Sequence, residues 1–234
     1  MIIMSTIRRK SFWTAGLLAV TLMCLVSTVA FGQDTVVAAY TTSSYTIGYY
    51  QNANVGLPDA QMHVINPGST GGFEPTGDLC ANIYVFTPDQ QLAECCSCKV
   101  SPNGMQGFSL ATDLTSNPLT STIPHSGAIK IVSSTGGGSN GAGLPGFTAA
   151  APCDAGSNYE PNGHLETWIT HVRPLGSSLG AAVTVTETNF EPVDLSSTEL
   201  NKLRQECYAI EAPPGLGGVG SGAGVCKCDP GKAF

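Results

Sequence analysis

Cysteines constrain this chain more than any other feature of its sequence. The 234 residues include nine cysteines, and all but Cys24 follow residue 32. These are Cys80, Cys95, Cys96, Cys98, Cys153, Cys207, Cys226 and Cys228. An even number of cysteines in an exported chain is typical of a disulfide framework. We therefore predict that all of them are oxidised and that they bind no metal.

Two Cys-x-Cys segments indicate how part of this framework is arranged. Side chains alternate along an extended strand, so Cys96 and Cys98 share one face, and so do Cys226 and Cys228. Two such segments lying side by side, with Cα atoms about 5.5 Å apart, can be bridged twice. We expect this double staple, while the sequence leaves the other pairings open.

A metal site is the alternative for the same cysteines. Closely spaced thiolates suit Zn²⁺ or Cu(I), and His164 and His171 could complete a coordination shell. Structural zinc sites, however, usually separate their cysteines by about two to four residues. Here the cysteines are adjacent or one residue apart. The prediction is therefore no metal and no cofactor.

The N-terminus has the pattern of a secretory signal. Arg8–Lys10 precede an apolar stretch, and Ala30-Phe31-Gly32 supplies small residues for cleavage before Gln33. An uncleaved anchor is the alternative, because the apolar run is about 20 residues long. No second such run follows, so we predict no membrane span after cleavage. The expected location is secreted or at the cell surface, with the periplasm as the alternative.

Charge argues against a nucleic-acid partner. Charged residues make up 12% of the chain, and three of its ten basic residues lie in Arg8–Lys10. Binding to a phosphate backbone requires clustered Lys and Arg. The rest of the chain has no such cluster, so nucleic-acid binding is excluded.

Short alternating segments separated by Gly-, Pro- and Asn-rich stretches predict a mainly β protein. The predicted strands are 35–40, 45–50, 81–86, 107–110, 128–132, 165–172 and 181–187. Residues 52–78 are predicted to be loops.

One helix is expected, at about 196–211. Ser196 and Glu199 form a capping box, and Leu200, Leu203, Cys207 and Ile210 share one face. The predicted fold is an antiparallel β-sandwich, stapled by disulfides, with this C-terminal helix. Its organisation is a signal peptide at 1–32, N-terminal strands and a long loop at 33–78, and the stapled sandwich with its helix at 79–234.

The sequence contains no convergent catalytic set, so we predict that the protein is not an enzyme. No Gly-x-Ser-x-Gly elbow follows a predicted strand and precedes a predicted helix, so the hydrolase signature is missing. Glu166, Glu187 and Glu191, which a glycosidase could use, are expected on solvent-facing sides of strands. On one strand, His164 and His171 would lie on opposite faces. Trp168 is expected in the core.

Three segments resemble uncharacterised exported proteins of Acidobacteria-type bacteria. They are Asp78–Phe86, Glu94–Cys98 and Asp113–Thr120, and the similarity continues through 168–171 to 220–226. The resemblance covers most of the chain after the leader. It implies one exported, cysteine-stapled domain and supplies no catalytic residues.

These features favour a non-enzymatic secreted structural or adhesive protein, as a subunit of an extracellular assembly. The alternative is a carbohydrate- or ligand-binding β-sandwich module with Tyr45, Tyr49 and Tyr50 as an exposed platform. A metal-binding periplasmic protein is the third hypothesis. Self-association is expected through the N-terminal segment, which has high strand propensity and almost no charge. The residues of this assembly strand are Val36, Val37, Tyr40, Tyr45, Ile47, Tyr49 and Tyr50.

Overall fold

Two antiparallel sheets organise the computed structural model, which describes residues 43–51, 59–68, 77–120, 122–135, 153–176, 182–212 and 222–228. Its strands are β1 (Tyr45–Gln51), β2 (Gln61–Ile65), β3 (Leu79–Phe86), β4 (Leu92–Val100), β5 (Met105–Ser109), β6 (Ser126–Thr135), β7 (Glu166–Pro174), β8 (Val183–Asn189) and β9 (Glu191–Pro192). Sheet A has the strand order β4-β3-β6-β1-β9, and sheet B has the order β5-β2-β7-β8. The predicted disulfide-stapled, mainly β fold is confirmed.

Sheet A is the middle of three layers. On one side, Ile83 and Ile131 of sheet A pack with Met62 and Ile169 of sheet B. On the other side, Tyr84 belongs to a second apolar cluster that includes the C-terminal helix. Every residue of β3 is buried, because a layer covers each face of this strand. The sequence prediction of a central strand at 81–86 is therefore confirmed.

The C-terminal helix, α1 (Ser197–Glu211), begins where the capping pattern predicts. The side chain of Ser196 accepts a hydrogen bond from the backbone N–H of Glu199 at 3.1 Å. The Glu199 carboxylate does not complete the capping box, since it pairs with Lys130 Nζ at 2.5 Å. This ion pair ties the start of α1 to sheet A. The residues predicted to face the core are buried, namely Leu200, Leu203, Cys207 and Ile210.

Two elements predicted near the N-terminus, the loop at 52–78 and the first strand, have different outcomes. The expected loop at 52–78 contains β2, whose buried Met62 and Val64 alternate with the more exposed His63. The loop prediction was wrong there, because Gly-, Pro- and Asn-rich flanks outweighed a short alternating pattern. The first predicted strand, with Val36, Val37 and Tyr40, lies outside the described residues, as does the leader.

The second half of the proposed assembly strand completes a sheet of its own chain. β1 pairs with β6 along its whole length and with β9 at Thr46 and Ile47. Tyr45 and Tyr50 are 4% and 1% exposed, so this strand is also anchored by its side chains. Of the two alternatives, pairing within the chain is therefore the one found for Tyr45–Gln51. Self-association remains a prediction for the segment that precedes β1.

Four disulfides join the eight cysteines. Cys96–Cys226 and Cys98–Cys228 form the predicted double staple, with Cα atoms 5.3 and 5.5 Å apart. The segment 222–228 runs beside β4, where the Cys95 N–H donates to the Gly224 carbonyl at 2.8 Å. The other two bridges are Cys80–Cys153 and Cys95–Cys207. A set of disulfides of this kind is typical of extracellular or periplasmic proteins.

None of the helices in the described ranges has the length and apolar character needed to cross a membrane.

Candidate functional site

The outer face of sheet B carries an aromatic pair that faces away from both cores. Side chains alternate along a strand, so the neighbours of Met62 and Ile169, which pack between the sheets, face outward; these neighbours are His63 and Trp168. Trp168 is half-buried and belongs to neither apolar cluster. The hypothesis that Trp168 packs in the core was therefore wrong. His171, which lies on the opposite face of β7, occupies the interior instead.

His63 and Trp168 form a stacked pair, which we call the aromatic platform. They lie directly opposite each other in the pairing of β2 with β7. Their ring centroids are 5.1 Å apart, and the ring planes meet at 23°. On its other side His63 lies opposite Gly107 of β5, which has no side chain to cover the imidazole. Each ring of the platform therefore lies against one face of the other, on the outer face of sheet B.

Hydrogen-bonding side chains surround the platform on the same face. In the pairing of β7 with β8, Trp168 lies opposite Asn189, and Thr170 lies opposite Glu187. Asn189 and Glu187 are exposed. Beside them, the Thr170 hydroxyl accepts a hydrogen bond from the Gln61 backbone N–H at 2.9 Å. An amide and a carboxylate therefore border an apolar ring surface, as in many ligand sites.

His63 is suited to stacking as a neutral ring. Partial burial lowers the pKa of His63, and the nearby Glu187 carboxylate only partly opposes this shift. At neutral pH the imidazole is therefore uncharged. Its Nδ1 is buried and has no hydrogen-bond partner among the described residues.

His164 lies just before β7 and His171 within it, and the two histidines make different contacts. His164 Nε2 lies 2.7 Å from Glu166 Oε1, and its Nδ1 lies 2.9 Å from the Ser43 carbonyl oxygen. His171 is 1% exposed and stacks on Tyr49 with ring centroids 4.3 Å apart. Burial, with a smaller effect of Arg173, lowers the pKa of His171. These histidines do not converge on one metal site.

The three tyrosines predicted as a binding platform do not form one. Tyr45 packs in the cluster beneath α1, whereas Tyr50 packs between the two sheets. Burial raises the pKa of both hydroxyls. Only Tyr49 is exposed, at 48%, and one face of its ring lies on His171. Consecutive residues of a strand face opposite ways, so Tyr49 and Tyr50 could not share a surface.

The carboxylates that a glycosidase could use lie on two different sheets. Glu166 and Glu187 are exposed on the outer face of sheet B, whereas Glu191 lies in β9 of sheet A.

One group of sulfurs that lie within 4.8 Å of one another consists of Cys96, Cys98 and Cys228. A second group joins Cys95 and Cys207 to the Glu211 carboxylate. All these sulfurs belong to disulfides, and a metal needs the reduced thiolate.

A carboxyl on β4, that of Glu94, is buried. Glu94 is 0% exposed, and its Oε1 accepts a hydrogen bond from the Asn117 N–H at 2.6 Å. Its Oε2 has no partner among the described residues. Burial raises the pKa of Glu94 to about 7, although the hydrogen bond from Asn117 and the charge of Lys227 oppose this shift.

We expect the protein to be more stable at about pH 5 than at about pH 8. The pKa of Glu94 in the folded state, about 7, exceeds the ordinary value of 4.5, so the folded state holds a proton that the unfolded chain releases. Its stabilising effect is complete below the unfolded pKa and is lost as pH rises through the folded pKa. Glu94 alone should contribute about 2 kcal/mol, which is several degrees in Tm.

Thermal melts at several pH values test this expectation. Glu94→Gln should flatten the dependence of Tm on pH, because the amide does not titrate. Glu211→Gln provides the matched comparison, since burial and Asp154 raise the pKa of Glu211 to about 7 as well. A Glu94→Gln protein whose Tm falls with pH as steeply as that of the wild type would contradict the assignment.

Comparison with known proteins supplies no relative from which a function could be transferred. No family model matches the chain, and neither a curated protein nor a solved structure is similar to it.

Proposed function

We propose that this protein is a non-enzymatic, exported adhesive module that binds carbohydrate on the outer face of sheet B. The position of Trp168 carries the proposal. A half-buried tryptophan stacked on a neutral imidazole, on the solvent side of a sheet, makes little contribution to either core. Large aromatic rings supply most of the contact area at binding surfaces.

The chemistry around the platform fits a sugar ring. The face of an aromatic ring is electron-rich and attracts the C–H groups that line one side of a pyranose. The hydroxyl groups at the edge of the sugar need donors and acceptors, which Asn189 and Glu187 provide in the rows next to the platform. The low overall charge of the chain, 12% of residues, suits a neutral polysaccharide.

The framework also fits an adhesive role outside the cell. Four disulfides hold the strands and the segment 222–228 in place, so the protein would keep its shape in an oxidising environment. A preformed rigid face binds with little loss of conformational entropy. Export and a disulfide-bonded framework therefore suit a protein whose role is to bind to an extracellular surface.

Trp168→Ala is expected to weaken binding to polysaccharide at least about tenfold, because truncation of a central aromatic anchor commonly costs about 2 kcal/mol. Binding is measured by depletion from solution with insoluble polysaccharides and by affinity electrophoresis with soluble ones. Trp168→Phe keeps a ring in place and should retain most of the affinity. Asn189→Ala should weaken binding without touching the cores, since Asn189 is exposed.

Val185→Thr is the matched control on the same sheet. Val185 is 58% exposed on the edge strand β8, so its loss should leave both binding and Tm unchanged. If folded Trp168→Ala protein bound every polysaccharide as tightly as the wild type, the platform would not be the binding site. The same conclusion would follow if Val185→Thr lowered affinity as much as Trp168→Ala.

A further inference from the structure

A concave site lies between α1 and the loop that follows Cys153, on the side of sheet A that faces away from sheet B. It is a cleft of about 380 Å³. One face of α1 lines it with Asn201, Arg204, Gln205 and Tyr208, and the loop contributes Asn158 opposite. These helix residues are spaced by three and four positions, so they point in one direction. The cleft therefore lies on the solvent side of the apolar cluster beneath α1, whereas the aromatic platform lies on the outer face of sheet B.

The walls of this cleft combine an exposed aromatic ring with several amide side chains. Tyr208 is 48% exposed, although tyrosine rings usually bury most of their area. Three amide side chains, those of Asn158, Asn201 and Gln205, are exposed around it. A ring and several amides around a small cleft can stack on a sugar and bond to its hydroxyls.

Arg204 adds a cation with an incomplete set of partners. Its guanidinium lies over the Tyr159 ring, with Cζ 4.5 Å from the ring centroid, and Nη1 donates to Asn158 Oδ1 at 3.1 Å. Nε and Nη2 are shielded from water and make no well-aligned hydrogen bond among the described residues. The guanidinium also interacts with the Tyr159 hydroxyl, and this interaction opposes the rise that burial causes in the pKa of Tyr159. None of the ion pairs in the described ranges involves Arg204.

The edge formed by Nε and Nη2 is the one that can donate two parallel hydrogen bonds to a carboxylate. A buried donor without an acceptor destabilises a protein, because it has lost its hydrogen bonds to water without replacement. A ligand carboxylate would satisfy both donors once the guanidinium turned this edge toward the cleft. The turn gives up the 3.1 Å hydrogen bond to Asn158 and alters the contact with the Tyr159 ring, so the two new bonds to the carboxylate must offset both losses.

We propose that this cleft binds a sugar that carries a carboxylate, that is, a uronic acid residue. The carboxylate bonds to the Nε–Nη2 edge of Arg204, the sugar ring lies on Tyr208, and the amides of Asn201 and Gln205 contact its hydroxyls. The site is separate from the aromatic platform and does not depend on it. Either site can therefore fail in experiment while the other holds.

The direct test compares glucuronic and galacturonic acid with glucose and galactose, by calorimetry and ligand-observed NMR on the full secreted chain. The titrations are run near pH 6, because the carboxyl of Glu211 beside the cleft, with a pKa of about 7, is then largely uncharged. The acids should bind at least tenfold more tightly than the neutral sugars. Acetate at the same concentration should not displace them.

Arg204→Gln should reduce uronate affinity at least tenfold, and Arg204→Lys should restore only part of it, since lysine lacks the planar fork. Lys202→Gln is the matched control, because this exposed cation lies on the same helix and does not line the cleft. Tyr208→Ala is the variant least at risk of misfolding, and it should also weaken binding.

Each outcome of this series has a clear meaning. Equal affinity for acids and neutral sugars would overturn the role of Arg204, and effective competition by acetate would reduce the cleft to a general anion site. Unchanged uronate binding in both Arg204→Gln and Tyr208→Ala would overturn the proposal altogether. If Trp168→Ala lost uronate binding while the cleft variants were unaffected, acidic sugars would bind to the aromatic platform and not to the cleft.

Discussion

Deleting residues 33–51 is expected to leave a chain that does not fold. The deletion removes β1, which pairs with β6 from Tyr45 to Gln51. It also removes Tyr45 and Tyr50, which are buried in different cores. Loss of one large buried aromatic side chain typically costs about 3–5 kcal/mol. Two such losses, together with a row of backbone hydrogen bonds, exceed the stability of about 5–15 kcal/mol that a domain possesses.

Packing around Gly48 shows that the backbone of β1 also supports the core between the sheets. A Cβ at Gly48 would lie 2.4 Å from the Phe190 ring, so this ring packs directly on the β1 backbone. Phe190 is 6% exposed and belongs to the core between the sheets. Without β1, Phe190 would lose its support, and sheet A would be split between β6 and β9.

The matched deletion, of residues 33–42 only, separates folding from assembly. It keeps β1 and removes Val36, Val37 and Tyr40, so the shorter deletion should fold with a near-UV spectrum and Tm close to those of the wild type. If the N-terminal segment mediates self-association, size-exclusion chromatography should show a change from oligomer to monomer. A folded, monomeric product of the 33–51 deletion would contradict the place of β1 in sheet A.

Local patterns predicted the elements whose signals lie close together in the sequence. The helix could be located because Ser196, Glu199 and the apolar residues at three- and four-residue spacing fall within one short stretch. The double staple could be predicted because the period of two in a strand fixes which cysteines share a face. In both cases the deciding information was local.

The candidate site could not be predicted in the same way, because alternation does not say which face of a strand lies inward. In β7, Thr167, Ile169 and His171 alternate with Trp168 and Thr170. Composition favours tryptophan for the interior and histidine for the surface. The register with β2 reverses this, since it places Ile169 beside Met62 in the core and Trp168 beside His63 outside. Only the long-range pairing decides the face.

The second large effect is expected at the disulfide between Cys95 and Cys207, which holds α1 against β4. Both cysteines are 0% exposed. Because Cys96–Cys226 already ties the neighbouring position to the C-terminal segment, the loop that Cys95–Cys207 additionally closes is the stretch from Cys207 to Cys226, about 20 residues. In the chain-entropy model, closing such a loop is worth about 3 kcal/mol.

The double variant Cys95→Ser/Cys207→Ser should therefore melt about 10 °C below the wild type, since 1 kcal/mol corresponds to about 2–4 °C in a chain of this size. Cys207→Ser alone should lose a similar amount, because it breaks the same bridge and leaves Cys95 buried and unpaired. Melts are recorded by circular dichroism without reductant. A double variant that melts within a degree or two of the wild type would show that this bridge does not hold the helix.

The pair Cys98–Cys228 is the matched control for the same model. It spans a separation of 130 residues, as Cys96–Cys226 does, and lies only two residues along each segment from that bridge. With Cys96–Cys226 intact, the extra loop that Cys98–Cys228 closes is only a few residues long, so its removal frees little conformational entropy. Cys228 is also exposed, so serine at this end replaces no buried sulfur.

Cys98→Ser/Cys228→Ser should therefore lower Tm far less than Cys95→Ser/Cys207→Ser, although its bridge spans the longer stretch of sequence. Equal losses in the two double variants would mean that sequence separation, rather than the loop left open by the remaining bridges, sets the contribution of each disulfide.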